Sequence, residues 1–215
     1  MNFNEWEPIY VKILNDFGFS REEDERSAQL LSELLEEKRD SLLPLEKLRN
    51  IIKDKEVIVC GNAPRLSKDV VTLQTKREKV IVAADGATTT LLSQGITPRV
   101  IVSDLDGVIG DIIEANERCA VIVVHAHGDN ITKLKIHVPQ FTKILGTTQS
   151  HPLSNVFNFG GFTDGDRAVY LAKALGAKKI SIIGFDFEDA TVGAMKKKKL
   201  LWAKRLIAAT DVEIL

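Results

Sequence analysis

The sequence predicts an α/β protein with a mostly parallel sheet, helices on both faces of that sheet, and an N-terminal helical segment. From Lys55 onward, short β-branched runs alternate with amphipathic stretches long enough to form helices. The runs are apolar at consecutive positions, which is typical of strands buried on both faces. Before about residue 50 the chain is instead charged, with apolar residues at helical spacing.

Three helices are predicted in the N-terminal segment. Apolar residues form one helical stripe at Ile9, Ile13, Leu14 and Phe17, and a second at Leu30, Leu31, Leu34 and Leu35. Ser20 followed by Glu23 fits a capping box at the start of the second helix. Pro44 fits the start of a short third helix.

Six apolar runs are predicted to form the sheet. They are Val57–Cys60, Val80–Ala83, Val100–Val102, Val121–Val124, Thr142–Leu145 and Lys179–Ile183. Helices are predicted to begin near Leu66, Ala87, Ile109, Ile131, Asp166 and Ala194. This alternation predicts a Rossmann-like core. We expect residues 1–52 to pack on the core as a helical segment and residues 53–215 to form the Rossmann-like catalytic domain.

Composition favours a small-molecule partner over nucleic acid or a membrane. Lys and Arg total 29 and Asp and Glu total 30, so the net charge offers no attraction to polyanions. The apolar runs are too short to span a bilayer, and the N-terminus lacks a basic segment followed by a hydrophobic one. We therefore expect a cytoplasmic protein.

Cys60 and Cys119 are expected to be small buried hydrophobes rather than metal ligands.

Two carboxylates, Asp104 and Asp106, follow the apolar run Val100–Val102 directly. Ligands bind at the carboxyl ends of strands in open α/β sheets. If the chain stays extended, both side chains point the same way, about 7 Å apart. Neighbouring carboxylates repel each other unless a cation or protons intervene. We therefore predict that Asp104 and Asp106 bind a hard divalent cation such as Mg²⁺, which in turn suggests a phosphorylated substrate.

Polar clusters also follow the neighbouring predicted strands. Asp85 is either a metal ligand or the cap of the helix that follows it. His125, His127 and Asp129 could form a transition-metal triad. The surrounding aspartates instead favour an oxygen-liganded ion, with Asp129 in its shell and the histidines contacting phosphate or orienting a carboxylate.

Three further stretches are candidate phosphate contacts. Gly61-Asn62-Ala63-Pro64-Arg65 is either an ordinary turn or a backbone anion site assisted by Arg65. Gly161 permits close backbone approach, Thr163 or Asp164 can cap the next helix, and Arg167 can reach a phosphate. The run Lys196–Lys199 is either a solvated face or a contact to a nucleotide triphosphate.

Four motifs together resemble the archaeal type of 6-hydroxymethyl-7,8-dihydropterin pyrophosphokinase over about residues 55 to 190. They are Ala84-Asp85-Gly86-Ala87, Ser103-Asp104-Leu105-Asp106-Gly107, His125-Ala126-His127-Gly128-Asp129-Asn130 and Gly161-Phe162-Thr163-Asp164-Gly165-Asp166-Arg167-Ala168. The layout is similar, more distantly, to the thiamine pyrophosphokinase catalytic domain. Gly107 departs from that family's Asp-Phe-Asp-Ser element, which puts thiamine in doubt as the substrate.

The resemblance implies Mg²⁺-dependent transfer of diphosphate from ATP to the pterin hydroxymethyl group, with release of AMP, in tetrahydromethanopterin or folate biosynthesis. It implies a metal site at Asp85, Asp104, Asp106 and Asp129, and catalytic roles for Asp104, Asp106 and Arg167. The expected nucleotide-binding residues are Gly61, Asn62, Arg65, His125, His127, Gly161, Asp166 and Lys199. A homodimer is expected from the resemblance alone.

Three alternatives remain open at this stage. The first is a thiamine pyrophosphokinase-like diphosphotransferase. The second is a nucleotide-sugar-dependent glycosyltransferase, because similar domains occur in flagellin accessory factors. The third is a noncatalytic nucleotide or metal sensor, which would bind its ligand without turnover.

Overall fold

The computed structural model describes residues 1–73 and 79–214. Its centre is one sheet of eight parallel strands in the order β6-β5-β4-β3-β2-β1-β7-β8. The strands are β1 (Glu56–Cys60), β2 (Val80–Ala84), β3 (Val100–Ser103), β4 (Val121–Ala126), β5 (Ile144–Thr148), β6 (Val156–Phe157), β7 (Lys179–Ile183) and β8 (Glu213–Ile214). The predicted α/β fold class is confirmed.

Nine α-helices connect and cover these strands within the described residues. They are α1 (Phe3–Phe17), α2 (Arg21–Glu37), α3 (Leu45–Ile52), α4 (Leu66–Asp69), α5 (Ala87–Ser93), α6 (Ile109–Glu117), α7 (Ile131–His137), α8 (Asp164–Ala174) and α9 (Ala194–Ala208). All six predicted strands are present, although the fifth lies at Ile144–Thr148 rather than at Thr142–Leu145. Helix α8 begins two residues before the predicted Asp166.

Because successive side chains of a strand point to opposite faces of the sheet, the hydrophobic core has one part on each face. In β1, Ile58 packs on one face with α5, α6 and α7, whereas Val57 and Val59 pack on the other face with α3 and α8. Leu31 and Leu35 of α2 belong to the first of these clusters. The N-terminal helices therefore pack on the same core as the sheet.

Helix α1 packs against the outer side of α8 and α9. Trp6, Tyr10 and Ile13 are fully buried there, together with Phe162 and Tyr170. The indole N–H of Trp6 donates a hydrogen bond to the backbone carbonyl of Gln149 at 2.9 Å. These contacts fix the N-terminal segment beside the carboxyl edge of the sheet.

The start of α2 only partly matches its prediction. The Ser20 side chain caps the helix by accepting a hydrogen bond from the Glu23 backbone N–H at 3.3 Å. Among the described residues, the Glu23 carboxylate does not return the second bond of a capping box, because the Ser20 backbone N–H is not its partner. This carboxylate therefore remains available to other groups.

The two cysteines differ in environment. Cys60 is buried as predicted, and burial raises the pKa of its thiol to about 12. The expectation that Cys119 is buried was wrong. This residue adopts a left-handed backbone conformation (φ +78°) after the end of α6 and is exposed.

Within the described chain, no helix is both long and apolar enough to cross a membrane.

Candidate active site

The carboxyl ends of β1, β2, β3, β4 and β7 meet at one edge of the sheet, around a cleft of about 420 Å³. Residues of α2, α8 and α9 complete its walls. Since all strands are parallel, the polar clusters that follow them fall on the same edge. The sequence-based expectation that these strand ends converge is confirmed.

Three carboxylates, those of Asp85, Asp104 and Asp164, lie together on this cleft. One oxygen from each lies within 4.8 Å of the others. Asp85 follows β2, Asp104 follows β3, and Asp164 is the first residue of α8. A donor set made only of carboxylate oxygens suits a hard divalent cation. From the sequence, Asp164 is expected only as a helix cap.

Asp106 is not part of this carboxylate cluster. Strand β3 ends at Ser103, and the buried Leu105 has a φ of +68°, so the chain does not stay extended between Asp104 and Asp106. The expectation of an extended chain there was therefore wrong. The exposed Asp106 carboxylate instead pairs with the Lys133 ammonium group.

Asp129 also lies outside the cluster. It is exposed and lines the cleft at the end of β4. Its predicted place in the metal shell is therefore not supported by the geometry of the described residues.

The three clustered carboxyl groups differ in pKa: those of Asp85 and Asp164 are raised, and that of Asp104 is lowered. Burial raises the pKa of Asp85 to about 6, with the Asp104 charge adding to the effect and a hydrogen bond from Ser103 opposing it. Burial and the Asp104 charge raise the pKa of Asp164 well above its usual value. For Asp104, burial is outweighed by the His127 hydrogen bond and the Arg167 charge, so its pKa falls to about 2. A cation bound at the cluster would therefore favour the ionised form of all three carboxyl groups.

His127 and Asn130 hold Asp104 in place. His127 Nε2 lies 3.4 Å from Asp104 Oδ2. The Asn130 side-chain amide donates hydrogen bonds to the backbone carbonyls of Asp104 (2.9 Å) and His125 (2.7 Å), and accepts one from the His127 backbone N–H (3.1 Å). The ends of β3 and β4 are thereby tied together. Of the two roles left open for His127, this geometry supports orienting a carboxylate.

His125 lies behind the cleft wall and does not line the cleft. It is 1% exposed, and burial lowers the pKa of its imidazole well below the usual value. The Thr147 hydroxyl donates to the Val124 carbonyl at 3.0 Å and therefore accepts from His125 Nδ1 at 3.3 Å. This arrangement fixes the neutral tautomer with its proton on Nδ1. The predicted direct contact of His125 with nucleotide is not supported by its position.

Arg167 brings a buried positive charge to the cluster. Its guanidinium donates to Asp164 Oδ1 at 3.3 Å and to Gln149 Oε1 at 3.0 Å. In turn, the Gln149 side chain donates to Asp24 Oδ2 at 2.8 Å. Asp24 also accepts from the Tyr10 hydroxyl at 2.7 Å. The N-terminal helices are thus linked by hydrogen bonds to the arginine in the cleft.

Asp24 and Gln149 were missed by sequence reasoning. A local signal existed for Asp24, because it begins the buried stripe of α2 that continues through Ser27, Ala28 and Leu31. A carboxylate on the inward face of a helix requires polar partners. No comparable local signal marked Gln149.

The remaining predicted nucleotide contacts divide into two groups. Gly61, Asn62 and Lys199 line the cleft. Arg65 lies outside the cleft lining, where it pairs with Asp69 at 2.8 Å. For Arg65, the predicted nucleotide contact is not supported by this position.

Gly161 and Asp166 shape the loop before α8 and do not line the cleft. The buried Asp166 carboxylate accepts hydrogen bonds from the backbone N–H groups of Phe162 (3.0 Å) and Thr163 (2.6 Å). Burial raises the pKa of Asp166 to about 6, although Arg167 and these hydrogen bonds oppose the shift. Asp166, in the first turn of α8, therefore fixes the preceding loop, and its predicted contact with nucleotide is not supported, nor is that of Gly161.

Gly161→Ala is expected to destabilise the protein by about 2–4 kcal/mol through backbone strain and overpacking. Gly161 has a φ of +93°, and a Cβ there would lie 2.6 Å from the Arg167 Cα. Urea unfolding measures the effect. Gly110→Ala is the matched control, because a Cβ at this position in α6 meets nothing within 4 Å and alanine favours helix. Equal stability of Gly161→Ala and wild type would contradict this account of the loop.

A parallel-sheet cleft with clustered carboxylates and an arginine suits one class of protein, the α/β enzymes that transfer phosphoryl groups. A family model described as 6-hydroxymethylpterin diphosphokinase MptE-like matches residues 29–191. The chain belongs to this MptE-like family of 6-hydroxymethylpterin diphosphokinases. The family resemblance predicted from the sequence motifs is confirmed.

Close relatives extend over nearly the whole chain. A 6-hydroxymethyl-7,8-dihydropterin pyrophosphokinase of Pyrococcus furiosus is 44% identical over 96% of this chain and 93% of its own length. A protein of the same name from Methanocaldococcus jannaschii is 41% identical over 96% of this chain and 95% of its own. These matches include the N-terminal helical segment.

One solved structure shares the fold at low identity. A MAf glycosyltransferase from Magnetospirillum magneticum AMB-1 superposes with a TM-score of 0.51 and 14% identity, over 76% of this chain and 34% of that protein. A thiamine pyrophosphokinase from Bacillus subtilis covers 74% of this chain at 16% identity, with a TM-score of 0.39. The glycosyltransferase likeness shows a shared fold and nothing about activity.

Proposed function

We propose that this protein transfers the terminal diphosphate of ATP to the hydroxymethyl group of 6-hydroxymethyl-7,8-dihydropterin, releases AMP, and requires Mg²⁺. The observation that carries this proposal is the cluster of Asp85, Asp104 and Asp164 beside Arg167 in the cleft. The names of the archaeal relatives support the choice of substrate. We place the reaction in the biosynthesis of a pterin cofactor, either folate or tetrahydromethanopterin.

The carboxylate cluster fits Mg²⁺ by its donor chemistry. Asp85, Asp104 and Asp164 would hold the ion, since each offers an oxygen within 4.8 Å of the other two. Magnesium prefers oxygen ligands and is bound in such enzymes by a few carboxylates together with substrate phosphates. When bound, it would neutralise charge on the phosphate oxygens.

The transfer balances as a displacement at the β-phosphorus. The pterin hydroxyl oxygen forms the new bond to this phosphorus, and the bond to the oxygen that bridges the α- and β-phosphates breaks. AMP leaves with the bonding electron pair, and the hydroxyl proton passes to solvent. Positioning and charge stabilisation supply most of the catalysis in such reactions.

Arg167 is suited to stabilise the charge of the transferred group. Its guanidinium is buried and held by Asp164 and Gln149, so little reorganisation is needed during the reaction. Preorganised charges of this kind contribute strongly to catalysis in sites that exclude water.

The nucleotide is proposed to bind at Gly61, Asn62 and Lys199. The backbone at Gly61 packs closely, because a Cβ there would lie 2.7 Å from the Gly184 carbonyl oxygen. Lys199 supplies a positive charge to the cleft wall. The Gly61 N–H already donates to the Ile183 carbonyl at 2.9 Å, so the ammonium group of Lys199 is the donor suited to phosphate oxygens.

An acceptor panel tests the proposed function. The protein is incubated with ATP and Mg²⁺ together with 6-hydroxymethyl-7,8-dihydropterin, with thiamine, or with no acceptor, and the nucleotide products are separated by chromatography. We expect AMP with the pterin alone. ADP as the product, or AMP formed with thiamine and not with the pterin, would contradict the proposal. Consumption of a nucleotide-sugar without ATP would support the glycosyltransferase alternative.

Cation binding is expected to weaken as the pH falls below about 6. The pKa of Asp85 is raised to about 6, so protons compete with the cation for this carboxylate below that pH. Without a cation, the raised pKa means that ionised Asp85 destabilises the folded protein, and this destabilisation is smaller at pH 5 than at pH 7. Calorimetric titration with Mg²⁺ should show apparent affinity falling by up to about tenfold per pH unit. Affinity that stays constant from pH 5 to 7 would contradict a role for Asp85.

A further inference from the structure

The strand order places the two ends of the cleft far apart. Strand β4, which leads to Gly128, and strand β7, which leads to Phe185, are separated by β3, β2 and β1. Four spacings between neighbouring strands give about 19 Å. The carboxylates of Asp85 and Asp104 follow β2 and β3 and therefore lie between the two ends. The cleft is long enough for two substrates, one on each side of the cluster.

At the β7 end the cleft carries aromatic rings and lysines, together with the carboxylates of Asp186 and Asp189. The rings of Phe185 and Phe187 lie against each other with centroids 5.6 Å apart and an interplanar angle of 39°. Lys196 and Lys199, in the first two turns of α9, line the cleft beside them. Neither lysine is paired with another group in the part of the chain that the structure describes. Although Asp186 and Asp189 lie at the same end, these two ammonium groups remain available to an anionic ligand.

At the β4 end the cleft is negatively charged. Glu23 of α2 and Asp129 both line it as exposed carboxylates. Neither forms a hydrogen bond or ion pair through its carboxylate with any residue that the structure describes. Gly128 holds the end of β4 against α2, since a Cβ on this glycine would lie 2.8 Å from the Glu23 Cβ. Glu23 is thereby placed at the mouth of the cleft.

An aromatic surface lies beside Glu23. Phe19 is half-buried and lines the cleft. Its ring stacks on Phe17 with centroids 5.3 Å apart and lies 6.5 Å from the ring of Phe162, which is 5% exposed. Because Phe17 and Phe162 support it, the Phe19 ring offers a fixed apolar surface.

The two substrates of the proposed reaction differ in ways that match the two ends. ATP carries several negative charges, so Lys196 and Lys199 attract it to the β7 end, whereas the described lining of the β4 end offers it Glu23 and Asp129 and no lysine. The pterin ring is flat and uncharged. Its aminopyrimidinone edge carries two adjacent N–H donors, on N3 and on the 2-amino group, and a carboxylate accepts both with its two oxygens.

The chemistry of transfer also requires opposite approaches. The attacking and leaving oxygens lie roughly in line on opposite sides of the phosphorus. With the carboxylate cluster in the middle of the cleft, AMP therefore departs toward one end and the pterin hydroxyl enters from the other.

We propose that the pterin ring binds at the β4 end, against Phe19, with its aminopyrimidinone edge on the Glu23 carboxylate, and that the AMP part of ATP occupies the β7 end. This inference rests on the proposed function and names the residues that recognise its acceptor. It gives the N-terminal helical segment a direct role in substrate recognition.

Equilibrium binding tests this arrangement without turnover. Calorimetry measures binding of 6-hydroxymethyl-7,8-dihydropterin, and separately of ATP with Mg²⁺, to wild type, Glu23→Gln, Phe19→Ala and Lys199→Met. Glu23→Gln is expected to weaken pterin binding by about 10- to 100-fold and leave ATP binding unchanged, because a hydrogen bond to a charged group contributes about 1.5–3 kcal/mol. Lys199→Met is expected to weaken ATP binding alone.

Glu22→Gln is the matched control, because Glu22 is the exposed neighbour of Glu23 and does not line the cleft. It is expected to bind both ligands as wild type does. Unchanged pterin affinity in both Glu23→Gln and Phe19→Ala would overturn the proposed subsite and leave the proposed function standing. Loss of ATP binding in Glu23→Gln would overturn the orientation. Failure of wild type to bind the pterin, alone or with ATP present, would overturn the proposed function itself.

Discussion

Replacing Asp104 with Asn is expected to lower the rate of AMP formation by about 100- to 1,000-fold or more, as removal of a central electrostatic group does. Asp104 is the carboxyl group of the cluster whose pKa is lowest, about 2, so it is ionised at every pH of interest. Asparagine keeps its shape and removes its charge. Steady-state AMP formation at saturating Mg²⁺ measures the loss, and thermal unfolding checks that the variant remains folded.

Asp106→Asn distinguishes this site from the one expected from sequence. Asp106 is exposed and pairs with Lys133 outside the cluster, so its substitution is expected to lower the rate by less than about tenfold, as for a surface ion pair of small energy. A loss in Asp106→Asn as large as in Asp104→Asn would contradict the cluster. It would restore the metal site at Asp104 and Asp106 that the sequence suggested.

Replacing Arg167 with Lys is expected to lower kcat by about 100-fold or more while retaining the positive charge. The guanidinium reaches Asp164 and Gln149 with separate nitrogens, a geometry that the single nitrogen of an ammonium group does not reproduce. Kinetics with each substrate varied in turn measure the effect. Gln149→Glu serves as a companion, because it keeps an oxygen for Arg167 but gives up the donor to Asp24.

Full kcat in Arg167→Lys would contradict a role for the guanidinium geometry. A loss confined to stability, with kcat unchanged, would reduce Arg167 to a structural residue. We expect kcat itself to fall, because Arg167 lines the cleft beside the carboxylate cluster.

The fold could be predicted from the sequence because parallel strands that are buried on both faces appear in it as continuous apolar runs. The strands β6 and β8 were missed. Each is two residues long and lies at an edge of the sheet, so neither leaves a run that differs from loop sequence. Strand β8 pairs with β7, which is distant in the chain, whereas β6 pairs with the preceding strand β5.

The candidate site could be predicted from the sequence only in part. Strand ends predicted the correct edge, and Asp85 and Asp104 lie there as expected. The exclusion of Asp106 depends on one left-handed residue, Leu105, whose conformation has no signature in an apolar side chain. The inclusion of Asp164 depends on where α8 meets the sheet, a long-range property that no local pattern encodes.

The contribution of the N-terminal helices depends even more on tertiary structure. Asp24 reaches the cleft through Gln149, a residue 125 positions away along the chain. Its place on the buried stripe of α2 indicated a polar partner without identifying it. Only the packed structure connects this helix with Arg167.

Analysis of the reaction products by ³¹P NMR tests the central claim most directly. Wild-type protein is incubated with ATP, Mg²⁺ and 6-hydroxymethyl-7,8-dihydropterin. We predict equal amounts of AMP and a pterin diphosphate ester with two coupled phosphorus resonances, and at most trace amounts of either with Asp104→Asn over the same time. A pterin monophosphate accompanied by ADP, or an unchanged ATP spectrum with the wild-type protein, would contradict the account.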